Sequence, residues 1–173
     1  LDARQLPSAL TAIFTNPAMV TSTGRTLPRQ NLIVRRERVI DEGLIERLAE
    51  YRRQYLEKDD TGRAEFFYGR REHYNEQKTA VDFTTFSAAW VERTADLVFL
   101  NKTCYNGLFR VNSSGHFNVP FGRYVKPEIF DADNIRGVAR LLQCATIRCG
   151  GFESCRSVVD ERTFVYFDPP YRP

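Results

Sequence analysis

Asp168-Pro169-Pro170-Tyr171 stands directly after the apolar, β-prone run Phe164-Val165-Tyr166-Phe167. Open α/β sheets bind ligands at the carboxyl ends of their strands. A carboxylate, two rigid prolines and an aromatic ring at such an end make a pocket for a planar amine. The exocyclic amine of adenine fits the description. Its lone pair is delocalised into the ring, so the nitrogen is a poor nucleophile. Accepting both of its N–H hydrogens shifts it toward a nucleophilic geometry. Asp168 and the carbonyl of Pro169 supply two such acceptors, and proline fixes φ and therefore the direction of that carbonyl. Tyr171 is placed to stack on the base. A base inside a duplex cannot reach the pocket, so its nucleotide has to be flipped out. The competing reading of the same four residues is a Pro-Pro turn that closes a strand.

A second stretch stands out by its charge. The chain has 173 residues, 25 Lys and Arg against 22 Asp and Glu, and a net charge of +3. Bulk charge therefore says little, but from Phe99 to Pro127 there is no acid, while Lys102, Arg110, Arg123 and Lys126 fall inside the window. An acid-free, cation-bearing and aromatic-rich window suits a polyanion. The alternative is a loop that happens to be basic.

Several classes are disfavoured. No apolar run approaches the ~18 residues that a membrane helix needs. Cys104, Cys144, Cys149 and Cys155 contain no C-x-x-C pair, so no zinc or other metal site is expected. Without a secretory pattern they read as reduced thiols, Cys144 and Cys149 as core residues, in a cytoplasmic protein; its parent is expected to be monomeric. The opening Leu1-Asp2-Ala3-Arg4 lacks an initiator Met, which suggests a fragment.

The elements that must position these residues follow from periodicity. Residues 1–30 are loop-like and unassigned, with a short helix expected around Leu10–Phe14. Leu44, Ile45, Leu48, Tyr51, Tyr55 and Leu56 share one face of a helix, and Asp59-Asp60-Thr61-Gly62 breaks it. A second helix is expected from Ala64 to about Glu76, with Phe66, Phe67 and Tyr74 apolar, and a third from about Thr84 to Leu100, with Phe86, Trp90, Leu97 and Val98 buried. The balanced charges on the first two of these helices read as a solvated face. Leu108–Val111 and His116–Val119 flank Asn112-Ser113-Ser114-Gly115, the signature of a hairpin with a glycine-containing turn. Asp131 to Asn134 offer caps for a helix carrying Ile135, Val138, Leu141 and Leu142. Ala145–Cys149 and Thr163–Phe167 read as short buried strands.

The stretch Phe99-Leu-Asn-Lys-Thr-Cys-Tyr-Asn-Gly-Leu-Phe-Arg110, followed by Asn118-Val-Pro-Phe-Gly-Arg-Tyr124, closely resembles the recognition segment of Dam-type DNA adenine-N6 methyltransferases, the D12 class. Phe167-Asp-Pro-Pro-Tyr171 resembles their catalytic motif, and Leu44–Tyr55 and Phe66–Asn75 resemble family helices. The resemblance covers roughly residues 31–173. It implies methyl transfer from S-adenosylmethionine to adenine N6 in double-stranded DNA, commonly within GATC. It also implies an α/β fold: a partial Rossmann-like methyltransferase sheet with an inserted helical and β-hairpin target-recognition region. That region is expected over 31–130, and part of the catalytic α/β domain over 131–173. Asp168, Pro169, Pro170 and Tyr171 fall on the catalytic motif, and Phe152 and Asp168 on the cofactor side. Tyr105 falls where the family inserts an aromatic wedge into the stack. Asn106, Leu108, Arg110 and Pro120 fall where its hairpin touches base edges and phosphates. Arg110 suits guanine O6 and N7, and Arg123 and Lys126 suit phosphates. For Tyr105 and Leu108 the alternative is hairpin packing.

The sequence also departs from the family. Its cofactor loop, Phe-x-Gly-x-Gly, has no counterpart: the first glycine is Gly24 and no G-x-G occurs. The acid that should follow on the next strand has no clear equivalent before Asn31, and at Gly151-Phe152-Glu153 the acid expected ahead of Phe152 is absent or displaced. A fragment or degenerate member is expected, inactive on its own. Three readings compete: a methyltransferase incomplete in this chain, a catalytically dead DNA-binding remnant that keeps the hairpin, and a remnant with no function.

Overall fold

The structure, a computed structural model, describes residues 10–14, 42–82, 87–143, 145–149 and 156–166. The chain divides into two units, one formed by Leu1–Val34 with Cys144–Pro173 and the other by Arg35–Gln143. Its described part is mostly helical.

In the first unit β1 (Leu10–Phe14) pairs in parallel with β2 (Ala145–Cys149), Leu10 opposite Ala145 and Phe14 opposite Cys149. The strand expected at Ala145–Cys149 is therefore present. Leu10–Phe14 forms a strand and not the expected helix. Five residues are too few to repay helix nucleation, whereas a parallel neighbour satisfies their backbone groups. The strand expected over Thr163–Phe167 does not form across its described residues, 163–166. Phe164 and Tyr166 are 90% and 78% exposed there, and no strand among the described residues takes up their backbone groups. Phe167 lies outside the described residues.

The second unit is built on three packed helices. In α1 (Glu42–Leu56) Leu44, Leu48, Tyr51 and Tyr55 recur at spacings of three and four, and all four are buried. The break expected at 59–62 is narrower than four residues: Asp59 caps α2 (Asp60–Ala80), its Oδ1 accepting the Gly62 N–H at 2.8 Å. Phe67 and Tyr74 of α2 are buried. The third helix, α3, runs over Ala88–Thr103. Trp90 is buried as expected, but Leu97 and Val98 are only half-buried. The deepest positions of α3 are Ala95, Asp96, Phe99, Leu100 and Thr103. Phe86 lies outside the described residues. The fourth helix, α4 (Ala132–Gln143), starts at Asp131, whose Oδ1 accepts the Asn134 N–H at 3.0 Å.

The core is aromatic and edge-to-face. Phe99 meets Tyr51, Tyr55 and Phe66 at centroid distances of 5.7, 5.8 and 5.3 Å. Phe117, Val119, Phe121 and Ile129 complete it from the irregular segment after α3. That segment, which bears most of the candidate residues, is therefore part of the core on its inner side.

The charges of α1 singled out as a solvated face, Glu46, Arg47, Arg52 and Arg53, are exposed, with Glu50 half-buried, whereas α3 brings two acids into a cluster between the helices. Asp96 is fully buried and accepts from the Tyr51 hydroxyl at 3.0 Å, with His73 Nδ1 at 2.6 Å and Arg70 at 3.5 Å. Glu92 accepts from the Tyr51 hydroxyl at 2.6 Å and pairs with Arg47 and Arg70 at 2.8 and 3.1 Å. Burial pushes the Asp96 carboxyl up, against the hydrogen bond from His73 and the charge of Arg70. His73, Glu92 and Asp96 bring three possible ligand atoms within 4.8 Å. Two arginines already compensate those carboxylates, so the cluster acts as an ion network joining α1, α2 and α3. No described helix is long and apolar enough to cross a membrane.

Candidate nucleic-acid interface

At the end of α3 the chain makes a single 3-10 turn, Tyr105–Gly107, in which Asn106 and Gly107 both take positive φ, 53° and 61°. Asparagine and glycine are the residues that tolerate this region. The Asn101 amide donates to the Gly107 carbonyl at 2.7 Å and holds the turn from below. The outcome is exposure of a row of residues that would ordinarily be buried. Tyr105, Leu108 and Phe109 are 54%, 50% and 55% exposed. About half of each of these side chains is left uncovered by packing.

The returning arm crosses this row. The Tyr105 N–H donates to the Pro120 carbonyl at 2.9 Å, and the Gly122 N–H to the Thr103 carbonyl at 2.9 Å. A Cβ on Gly122 would lie 2.6 Å from the Cys104 carbonyl oxygen, so the crossing demands glycine. Between the arms the expected hairpin is present but short. Val111 bridges Phe117, the Asn118 N–H reaches the Arg110 carbonyl at 3.1 Å, and the Asn112 N–H reaches the His116 carbonyl at 2.9 Å. Gly115, at φ 73°, closes the turn, and Asn112 Oδ1 accepts from the Ser114 and His116 N–H groups, both at 3.0 Å.

One face of α2 carries the hairpin. Arg71, Asn75 and Lys78 are spaced by four and three residues and so point the same way. Arg71 donates to the Val119 carbonyl at 3.3 Å and Lys78 to the Ser114 carbonyl at 2.5 Å. Asn75 bonds both backbone groups of Phe117. On the other side the Tyr55 hydroxyl donates to the Tyr124 carbonyl at 2.5 Å. These anchors escaped the sequence reading. Their one sequence signal is a polar stripe at helical spacing, which looks the same when it faces water.

The candidate residues fall into place as follows. Tyr105, Asn106, Leu108 and Arg110 lie on the outgoing arm, and Pro120, Arg123 and Lys126 on the returning one, all exposed. Arg110 donates Nε–H to Asn118 Oδ1 at 2.8 Å. Arg123, at φ 57°, pairs with Asp60 at 3.1 Å, with both side chains largely in water. The exposed aromatic Phe109, whose ring leans on Phe117 at 5.8 Å, was not singled out from sequence. Cys104 is buried, with its thiol directed at the Leu108 carbonyl at 3.3 Å, and burial pushes it up and away from reactivity. Phe152, Asp168, Pro169, Pro170 and Tyr171 lie outside the described residues.

An exposed row of aromatic, amide and cationic side chains on a hairpin anchored to α2 can insert into a groove and meet phosphates. The family comparison agrees with that chemistry. Residues 30–173 match the model of the D12 class N6 adenine-specific DNA methyltransferases, and the chain belongs to this family. Among its relatives is the Type II methyltransferase M.MjaIII of Methanocaldococcus jannaschii, 48% identical over 130 residues, which are 75% of this chain and 43% of that protein. The DNA adenine methylase of Escherichia coli K12 is 35% identical over 114 residues, 66% of this chain and 37% of that protein. That of Haemophilus influenzae is 34% identical over 115 residues, 66% of this chain and 36% of that protein. The chain thus spans about two-fifths of the length of the curated relatives it matches. The family supports an α/β methyltransferase fold; the described residues contain one strand pair, Leu10–Phe14 with Ala145–Cys149, of which Leu10–Phe14 lies outside the family match.

Proposed function

We propose that these residues serve a site-specific DNA methyltransferase that moves a methyl group from S-adenosylmethionine to N6 of an adenine flipped out of duplex DNA, with GATC as the target. The observation that carries this reading is the exposed row Tyr105, Leu108 and Arg110 on an arm without acids, held from behind by α2. In the proposal Tyr105 occupies the gap left in the stack, Asn106, Leu108 and Pro120 meet base edges, and Arg110 pairs with guanine. Arg123 and Lys126 meet phosphates. Asp168 and the Pro169 carbonyl accept the two amine hydrogens while Tyr171 stacks on the base, with Pro170 stiffening the turn. The sheet is proposed to be of Rossmann-like type.

S-adenosylmethionine would supply the methyl group, with Phe152 and Asp168 against it. No described residue forms a cradle for it, and the sequence has no G-x-G that would let backbone approach a ligand closely. The 173-residue chain by itself is therefore proposed to bind it poorly and to be inactive alone. A DNA-binding remnant that keeps the hairpin is the second reading, to which the exposed arm around Tyr105 and Arg110 would equally belong.

Calorimetric titration with S-adenosylhomocysteine and a methyl-transfer assay on a GATC duplex separate the two parts of the proposal. Duplex binding without cofactor binding is expected of the isolated chain. Micromolar cofactor binding would show that residues 1–30 hold an unrecognised loop. Where the activity is present, Asp168→Ala should abolish transfer and spare duplex affinity; wild-type turnover in that variant would remove the catalytic assignment.

A further inference from the structure

The Arg110 guanidinium has five N–H donors. Asn118, across the hairpin, uses one edge of it: Nε–H donates to Asn118 Oδ1 at 2.8 Å, and Nη2 donates to the Asn118 carbonyl at 3.3 Å. Both acceptors belong to one residue, whose own N–H is tied to the Arg110 carbonyl at 3.1 Å. The side-on edge, Nε with Nη2, is thereby filled. The end-on pair, Nη1 with the outer hydrogen of Nη2, has no partner among the described residues, on an exposed side chain. We propose that Asn118 is the positioning residue for Arg110: it fixes the guanidinium so that only its end-on pair is offered to guanine O6 and N7. The proposal rests on the guanine-reading role given to Arg110 above.

A long exposed arginine otherwise samples many rotamers, and freezing it on binding costs conformational entropy. A guanidinium already fixed in the free protein avoids part of that cost, and it discriminates by direction as well as by charge. Asn118 is suited to this because its side-chain oxygen is a neutral acceptor. A carboxylate there would hold the cation as firmly but would oppose the neighbouring phosphates.

The test has two readouts on the 173-residue chain. The heteronuclear NOE of the Arg110 Nε–Hε group should be close to backbone values in the wild type and fall sharply in Asn118→Ala, with the fold unchanged by backbone shifts away from the hairpin. An unchanged NOE overturns the proposal without reference to DNA. The second readout is anisotropy with a GATC duplex and its 7-deazaguanine analogue, which lacks the N7 acceptor. Arg110→Ala should abolish a preference of about tenfold or more for the natural duplex. Asn118→Ala should lose most of the same preference while retaining most of its affinity for the analogue. Asn118→Asp should keep the ordered guanidinium and the preference, at lower affinity for all duplexes. If Arg110→Ala removes the preference and Asn118→Ala leaves it intact, the positioning role is wrong and the reading role stands. If Arg110→Ala leaves the preference intact, or the wild type shows none, both roles are overturned.

Discussion

The Asn75 side-chain amide donates to the Phe117 carbonyl at 3.1 Å and accepts the Phe117 N–H at 2.7 Å, so one helical side chain takes the place of a neighbouring strand. Among the described residues the short hairpin around Val111 and Phe117 has no third strand to lean on, and two-stranded hairpins are marginal alone. Asn75 supplies that support and sets the height of the recognition arm above α2. Replacing it with Ala leaves a half-buried N–H and C=O unsatisfied, which costs about 1–3 kcal/mol. Urea denaturation measures the loss. Asn75→Asp should be destabilised as well, since it restores only the acceptor and places a second oxygen against the Phe117 carbonyl. Wild-type stability in both variants would show that the hairpin holds itself.

Gly122 lies where the two arms cross. An added Cβ would sit 2.5 Å from Tyr124 Cε2 and 2.6 Å from the Cys104 carbonyl oxygen. The tyrosine ring can move, but the Cys104 backbone is tied by the bonds between Thr103 and Gly122 and between Tyr105 and Pro120. Gly122→Ala should therefore cost about 1–3 kcal/mol as an overpacking change, read as a lower melting temperature. It should also weaken duplex binding, because Tyr105 rides on the same crossing. A variant as stable as the wild type would mean that the crossing has slack.

Part of this arrangement was legible in the sequence and part was not, for physical reasons. The face of α1 was legible because Leu44, Leu48, Tyr51 and Tyr55 repeat with helical period and all point inward. The exposed arm was reached through its motif and the missing acids, since exposure of Tyr105 and Leu108 has no periodic signature. Leu10–Phe14 misled because a five-residue apolar run is common to a helical turn and a strand, and only a distant partner, Ala145–Cys149, decides it. Burial of Asp96 and Arg93 has no sequence signal, because it depends on Tyr51 and Tyr74, which arrive from other helices. The supports Asn75 and Asn101 act on backbone atoms, so no residue type at the other end of the bond announces them.

Arg123 and Asp60 pair at 3.1 Å with both side chains mostly in water, a geometry that stabilises little. The pair should matter more for binding, because Arg123 must exchange Asp60 for a phosphate. Asp60→Asn should raise affinity for cognate and non-cognate duplexes alike, by about two- to fivefold at low salt. It should also steepen the salt dependence by up to about 0.9 in log–log slope, the value for one more phosphate contact. In an Arg123→Ala background the gain in slope should vanish. Persistence of the gain there would assign the effect to general repulsion by Asp60.

Burial raises three phenols, Tyr51, Tyr55 and Tyr74, with Tyr55 pushed up from 10.0 to about 12. A raised folded-state value means that the unfolded chain releases its proton first as pH rises. The stabilisation is complete below about pH 10 and is lost as pH climbs through the folded value. Stability should fall between about pH 10 and 12, and Tyr55→Phe should flatten part of that fall while losing the bond to the Tyr124 carbonyl. Denaturation curves across this range check the sign. Stability that rises with pH there would contradict the burial of these rings.

The most direct test of the central claim is an equilibrium titration of the 173-residue chain with two labelled duplexes that differ only in the order of one tetranucleotide, GATC or a permutation of it. The account predicts salt-sensitive binding to both and at least about tenfold tighter binding to GATC, the discrimination of one good base contact or more. It also predicts that Tyr105→Ala and Arg110→Ala shrink the difference. Equal affinity for the two duplexes, unchanged by either substitution, would contradict the assignment of residues 105–126 as the surface that reads DNA.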